Sequence, residues 1–133
     1  MENNFTPETN LTSGATSRET AQFIVSVLDA KKARDIKLLC VEKQTVIADY
    51  FVICNGNSMT QVKSLADEVD YRMSRSGIEP LHVEGERGSS WILLDYGTVI
   101  VHIFGKDARD FYNLEKLYDG TSEEDISSLI TED

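Results

Sequence analysis

Neither end of this 133-residue sequence carries a base. Met1 to Thr16 holds Glu2 and Glu8 with no lysine or arginine, and Asp119 to Asp133 holds six acids with none. All 13 Lys and Arg therefore lie between Ser17 and Tyr118, against 15 Asp and Glu, so most of the formal net charge of −10 belongs to the ends. A core this close to neutral lacks the basic surplus that holds RNA or DNA through its phosphates. Strong direct nucleic-acid binding is not expected; the partner should be a protein or a small molecule. Cysteine is scarce as well: Cys40 and Cys54 each sit inside an apolar run, no CxxC occurs, and His82 and His102 stand alone. These residues read as buried hydrophobes and isolated imidazoles rather than a disulfide or a metal centre, so neither metal nor cofactor is expected. No run reaches the roughly 20 apolar residues that span a bilayer. The first residues show no basic or apolar leader, which makes the cytoplasm the expected location.

What is present suits one domain. Residues 1–16, rich in Asn, Thr, Ser and Gly, read as a flexible arm, and residues 121–133 as an acidic tail. Between them, Thr16 and Glu19 have capping-box spacing ahead of Phe23, Ile24, Val27 and Leu28 on one helical face. IKLLCV (36–41) and DYFVIC (49–54) read as strands. Ser58 and Gln61 form a second capping box before a helix striped by Val62, Leu65, Ala66, Val69 and Met73, and Gly77 suits its C-terminal cap. Pro80 and the glycines of EPLHVEGERG mark an edge strand and loop. In GSSWILLDYGTVIVHIFG, ten of the fourteen residues from Trp91 to Phe104 are apolar, and WILLD and TVIVHIF flank Tyr96 and Gly97 as a hairpin. KDARDFYNLEKLYDG closes the chain with a helix carrying Phe111, Leu114, Leu117 and Tyr118 on one side. The order α, β, β, α, β, β, β, α implies an α/β fold, a mixed sheet flanked by helices.

The chemistry-bearing residues do not assemble a catalytic set. Ser58 at a helix start could present backbone amides to a phosphate, and a Gly-Ser helix entry also opens nucleotidyltransferase active sites, yet serine is an ordinary N-cap. The metal-binding carboxylates such an enzyme needs on a neighbouring strand are missing, and Asp67, Glu68 and Asp70 lie on a helix. No base is placed beside Cys54 or Ser58. His102, between Val101 and Ile103 in a strand, reads as a half-buried histidine satisfied by a neighbour. Trp91 remains, a residue type enriched at interface hot spots and equally at home in a core.

DYFVICNGNSMTQVKSLADEV, VEGE, WILLDYGTVIVHIF and RDFYNLEKLYDG together resemble the ribosomal silencing factor family, the Iojap-like proteins, across residues 17–120. The resemblance implies a cytoplasmic α/β domain similar to nucleotidyltransferases without their catalysis. It also implies binding to the fourteenth protein of the large ribosomal subunit at the intersubunit face, blocking subunit joining when nutrients are short, and a homodimer when free. By position, the partner-binding residues it implies are Trp91, Ile92, Asp95 and Tyr96 of the DYG turn, Glu84 of the acidic loop, and Arg109, Tyr112, Glu115 and Lys116 of the last helix, with Leu114 both core and candidate. Tyr118 stands where many relatives carry a second tryptophan. Two other readings remain: a nucleotide-binding enzyme of nucleotidyltransferase type, and a homodimeric adaptor with no ribosomal role.

Overall fold

The computed structural model describes residue 11 and residues 14–85, 90–112 and 122–130, with backbone alone at 110–112 and 122. The elements run α1 (Ser17–Ala30), β1 (Arg34–Cys40), β2 (Tyr50–Gly56), α2 (Met59–Arg75), β3 (His82–Glu84), β4 (Trp91–Asp95), β5 (Val99–Gly105), α3 (Lys106–Tyr112), a two-residue β6 (Ser122–Glu123) and a 3-10 turn at Ser127–Leu129. Six strands form one sheet in the order β3-β4-β5-β2-β1-β6. Among the described residues only β2 and β5 pair in parallel; the other neighbours are antiparallel. This is the mixed sheet flanked by helices that the order of elements implies. Among the described residues no helix is long and apolar enough to cross a membrane.

The local signals act as their chemistry requires. Thr16 Oγ1 accepts from Glu19 N at 3.1 Å while Glu19 Oε1 accepts from Thr16 N at 2.9 Å, a closed capping box. At α2 the box is skewed. Ser58 Oγ accepts from Gln61 N at 3.1 Å, but Gln61 Oε1 accepts from Asn57 N at 2.5 Å, one residue upstream of the expected donor. The helix ends in a Schellman motif. Gly77 takes φ +83°, Ile78 N donates to Met73 O at 2.9 Å, and Gly77 N donates to Ser74 O at 2.9 Å.

Both faces of the central strands are apolar. Tyr50, Val52 and Cys54 of β2 and Val99, Val101 and Ile103 of β5 pack under α1 and α2 with Phe23, Ile24, Leu28, Leu65 and Met73. The alternate residues Phe51, Ile53, Ile100 and Phe104 form a second cluster on the opposite face with Leu39, Val41, Ala48 and Ala108 of α3. A parallel pair enclosed on both sides explains why these segments read as continuous apolar runs. Of the last helix expected over KDARDFYNLEKLYDG, the part after Tyr112 lies outside the described residues.

The ends differ from the expected arm and tail. Leu11, inside the segment read as an arm, is 6% exposed, and its N–H donates to Ser76 Oγ at 2.9 Å. The acidic end is not all tail. Ser122–Glu123 pairs with Cys40 and Leu39 of β1, Glu124 N donates to Leu38 O at 2.8 Å, and Leu129 is 9% exposed in the α1 cluster, flanked by Ile126 and Ile130. The spacing of Ile126, Leu129 and Ile130 is one apolar stripe, hidden in the sequence by the surrounding acids. Pairing along β1 also covers an edge that would otherwise invite another strand. Leu129→Ala should cost about 2 kcal/mol of stability through the cavity it leaves. Removing the part-exposed Arg18–Glu124 ion pair, 2.8 Å apart, by Glu124→Gln should cost less than about 0.5 kcal/mol. Urea denaturation of the two variants checks both, and a neutral Leu129→Ala would show that the C-terminal segment does not belong to the core.

Candidate functional site

Residues directly opposite one another on neighbouring strands share a sheet face. The register Trp91↔Phe104, Leu93↔His102 and Asp95↔Ile100, continued by Glu84↔Leu93 and His82↔Asp95, gathers Trp91, Leu93, Asp95, Glu84 and His82 on the face away from α1 and α2. Trp91 and Leu93 are half-buried against the second cluster. Glu84 and His82 are exposed at the sheet edge, with His82 Nε2 and Glu84 Oε2 2.7 Å apart. The result is an apolar step, Trp91 and Leu93, bordered by the carboxylates of Glu84 and Asp95.

The indole is held in place from beneath. Its ring stacks on Phe104 with centroids 5.1 Å apart and planes at 27°, and Trp91 Nε1 donates to His102 Nδ1 at 3.2 Å. Because indole N–H can only donate, Nδ1 must be the acceptor, which puts the imidazole proton on Nε2. His102 is thus neutral and of fixed tautomer. It is 4% exposed, more enclosed than its strand alternation implied, and Nε2 has no hydrogen-bond partner among the described residues. Burial pushes its pKa down to about 4. Gly85 sets the approach of the loop to this site. At φ +83° any Cβ would stand 2.1 Å from Trp91 O, so a side chain there must displace the start of β4.

The other residues implied by resemblance are placed differently. Ile92, alternating with Trp91, faces the helices at 3% exposure and offers a partner almost no surface. Tyr96 is also inward, 9% exposed on the helix side, with no partner for its hydroxyl among the described residues and its pKa raised by burial. Asp95 remains accessible in part and accepts from Gly97 N at 2.8 Å, closing the hairpin turn. Arg109 is 7% exposed, and its Nη1 donates to Asn55 Oδ1 at 2.5 Å and to Asp35 O, tying α3 to β2 and β1. Tyr112 lies in α3, but its side chain is outside the described residues, as are Glu115, Lys116 and Leu114 altogether. The register adds Leu93 and His82, which sequence reasoning missed. Alternation from Trp91 could have found Leu93, whereas His82 needed the β3–β4 pairing.

The candidate nucleophiles of the sequence, Cys54 and Ser58, are committed elsewhere. Cys54 is fully buried and its thiol is pushed up to about 12 by desolvation, so it stays protonated near neutral pH. Ser58 caps α2. The lowered pKa of His102 has a direct consequence for stability. Between about pH 4 and pH 6.5 the unfolded chain takes up a proton that the folded chain refuses, so stability is full above pH 6.5 and falls as the solution is acidified. From pH 7 to pH 4.5 the wild type should lose about 2 kcal/mol more than His102→Gln, whose side chain does not titrate. Urea midpoints at the two pH values measure this, and equal losses would mean that His102 is not held neutral.

Comparison with known proteins places these features. The family model described as ribosomal silencing factor during starvation matches residues 14–133. The ribosomal silencing factor RsfS of Halalkalibacterium halodurans is 38% identical over 115 residues, covering 86% of this chain and 98% of that protein. A more distant relative, the Mus musculus protein named mitochondrial assembly of ribosomal large subunit protein 1, is 30% identical over 98 residues, which cover 71% of this chain and 43% of that protein. A crystal structure of a Chromobacterium violaceum protein superposes with a TM-score of 0.77 at 30% identity, covering 81% of this chain and 90% of the other. With a family model matching residues 14–133 and a relative 38% identical over 98% of its length, the chain belongs to the ribosomal silencing factor family.

Proposed function

We propose that the chain is a translational repressor. It docks the Trp91 face onto the fourteenth protein of the large ribosomal subunit, on the side that meets the small subunit, and prevents the subunits from joining when nutrients are limited. The observation that carries this reading is the half-exposed indole, stacked on Phe104 and pinned by His102, with Leu93 beside it and Glu84 and Asp95 around it. A rigid aromatic with an acidic border suits a partner whose own surface is basic and apolar in turn, as ribosomal proteins commonly are. The anchor supplies affinity, and the carboxylates steer approach and register. The family's name speaks for silencing of ribosomes, and the murine relative's name ties that protein to the large subunit.

Such a repressor performs no reaction. It acts by excluded volume, so the extent of block follows from its concentration and dissociation constant. It works in the cytoplasm, and when free it pairs with a second copy. Direct contacts come from Trp91, Leu93, Glu84 and Asp95. Ile92 and Tyr96 hold β4 and its turn in place from the interior, while Arg109 ties α3 to β1 and β2.

Co-sedimentation with isolated large subunits tests the proposal. Wild type should pellet with them and lower the yield of joined ribosomes when small subunits are added. Trp91→Glu should lose about 2 to 4 kcal/mol of binding, which is roughly a 30-fold or greater rise in the dissociation constant. Near-UV circular dichroism of the same variant checks that the sheet survives. A folded Trp91→Glu that still sediments with wild-type affinity would remove the indole from the interface.

A further inference from the structure

The cations are not spread evenly over this acidic molecule. Arg34 and Lys37 of β1 and Lys106 and Arg109 of α3 line one open cleft of about 790 Å³. Two carboxylates, Asp35 and Glu123, share it, so the lining has a formal charge of +2 in a chain of net charge −10. The volume is within the range of about 300 to 1,000 Å³ common to small-molecule sites.

The position of the cleft in the fold is equally specific. Among the described residues β2 and β5 are the one parallel pair, in register as far as Gly56↔Gly105, and the cleft opens where both strands end. From there β2 leads into α2 on one face of the sheet and β5 into α3 on the other. A crevice outside the carboxyl ends of parallel strands, where the chain departs to opposite faces, is where open α/β sheets take their ligands.

The cleft is also built, not a chance gathering of surface lysines. Arg109, buried to all but 7%, places its guanidinium at the floor, fixed by Asn55 Oδ1 and by the carbonyl of Asp35. Asp35 holds that carbonyl in place from an unusual backbone, φ +51°, at the irregularity in the β1–β2 register between Arg34 and Lys37. Arg34 and Lys106 are exposed at the rim, and among the described residues neither forms an ion pair. Asn55 and Asn57 add amides. Among the described residues no aromatic side chain lines the cleft, and Ile36 is the one apolar side chain there.

We propose that this cleft binds a compact oligophosphate, either the phosphate chain of a nucleoside polyphosphate or an inorganic polyphosphate. A fixed guanidinium with further cations around it matches several phosphate oxygens at once, which a single carboxylate or sulfate does not provide. With no ring to stack on a base among the described residues, recognition falls to the phosphates. The site is separate from the Trp91 face and does not depend on ribosome binding.

Thermal denaturation with sodium tripolyphosphate, against sodium chloride of equal ionic strength, tests it, because a ligand bound only by the folded state raises the melting temperature. Tripolyphosphate should raise the wild-type midpoint, and isothermal titration should give ATP a dissociation constant within about threefold of it. A much tighter ATP would assign the site to nucleosides and overturn recognition by phosphate alone. Arg34→Gln with Lys106→Gln should weaken tripolyphosphate roughly 10-fold or more, Glu123→Gln should tighten it about threefold, and Lys43→Gln, outside the cleft, should leave it unchanged. Trp91→Glu should also bind normally, which separates this site from the docking face. No shift in the wild type, or an equal shift in the double variant, overturns the proposal. So does a short single-stranded RNA that binds the wild type and is not displaced by tripolyphosphate.

Discussion

Two adjacent strands with apolar side chains on both faces, β2 and β5, govern the rest of this molecule. Neither face of such a pair can be left to water, and the chain meets the demand unequally. α1 and α2 lay two amphipathic helices over one side, and Phe23, Ile24, Leu28, Leu65 and Met73 are sealed there. The other side receives α3, of which Ala108 joins the cluster, and towards β4 the cover thins to Trp91 and Leu93, half in water. The proposed docking face is therefore a consequence of how the core is closed: it is the margin of the second hydrophobic cluster.

That origin explains the chemistry beneath the indole. A tryptophan at the margin of a core needs its N–H satisfied, and His102, one strand over, supplies an acceptor while giving up its own charge. The cost is an imidazole N–H with no partner among the described residues, typically about 1 to 3 kcal/mol for a buried donor. Fixing the orientation of the Trp91 ring is what that cost accomplishes. A pre-oriented aromatic loses little freedom on binding, so more of its contact energy appears as affinity.

Much of this was legible in the sequence, for identifiable reasons. Capping boxes, the Gly77 terminus and the Val62 to Met73 stripe are local signals, and the chain obeyed them apart from the one-residue skew at Gln61. Runs of apolar residues in β2 and β5 announced strands enclosed on both sides. The motifs around Trp91 pointed to the family. What escaped was non-local. Resemblance by position grouped Ile92 with Trp91, but strand alternation sends Ile92 into the helices, and Arg109 turned inward to brace β1. Composition hid β6 and Leu129, because acids dominate the segment while three spaced apolar residues determine where it packs.

Charge is arranged to match. Acidic side chains border the apolar step at Trp91, while four basic ones line the cleft beyond β2 and β5. The central claim is that Trp91, the chain's one tryptophan, is accessible when free and covered when docked. Hydroxyl-radical oxidation of that residue, read by mass spectrometry with and without isolated ribosomal subunits, measures this directly. Ready oxidation of the free protein, with strong protection by large subunits and none by small ones, is the predicted result. Oxidation that large subunits leave unchanged, or an indole already protected in the free protein, would contradict it.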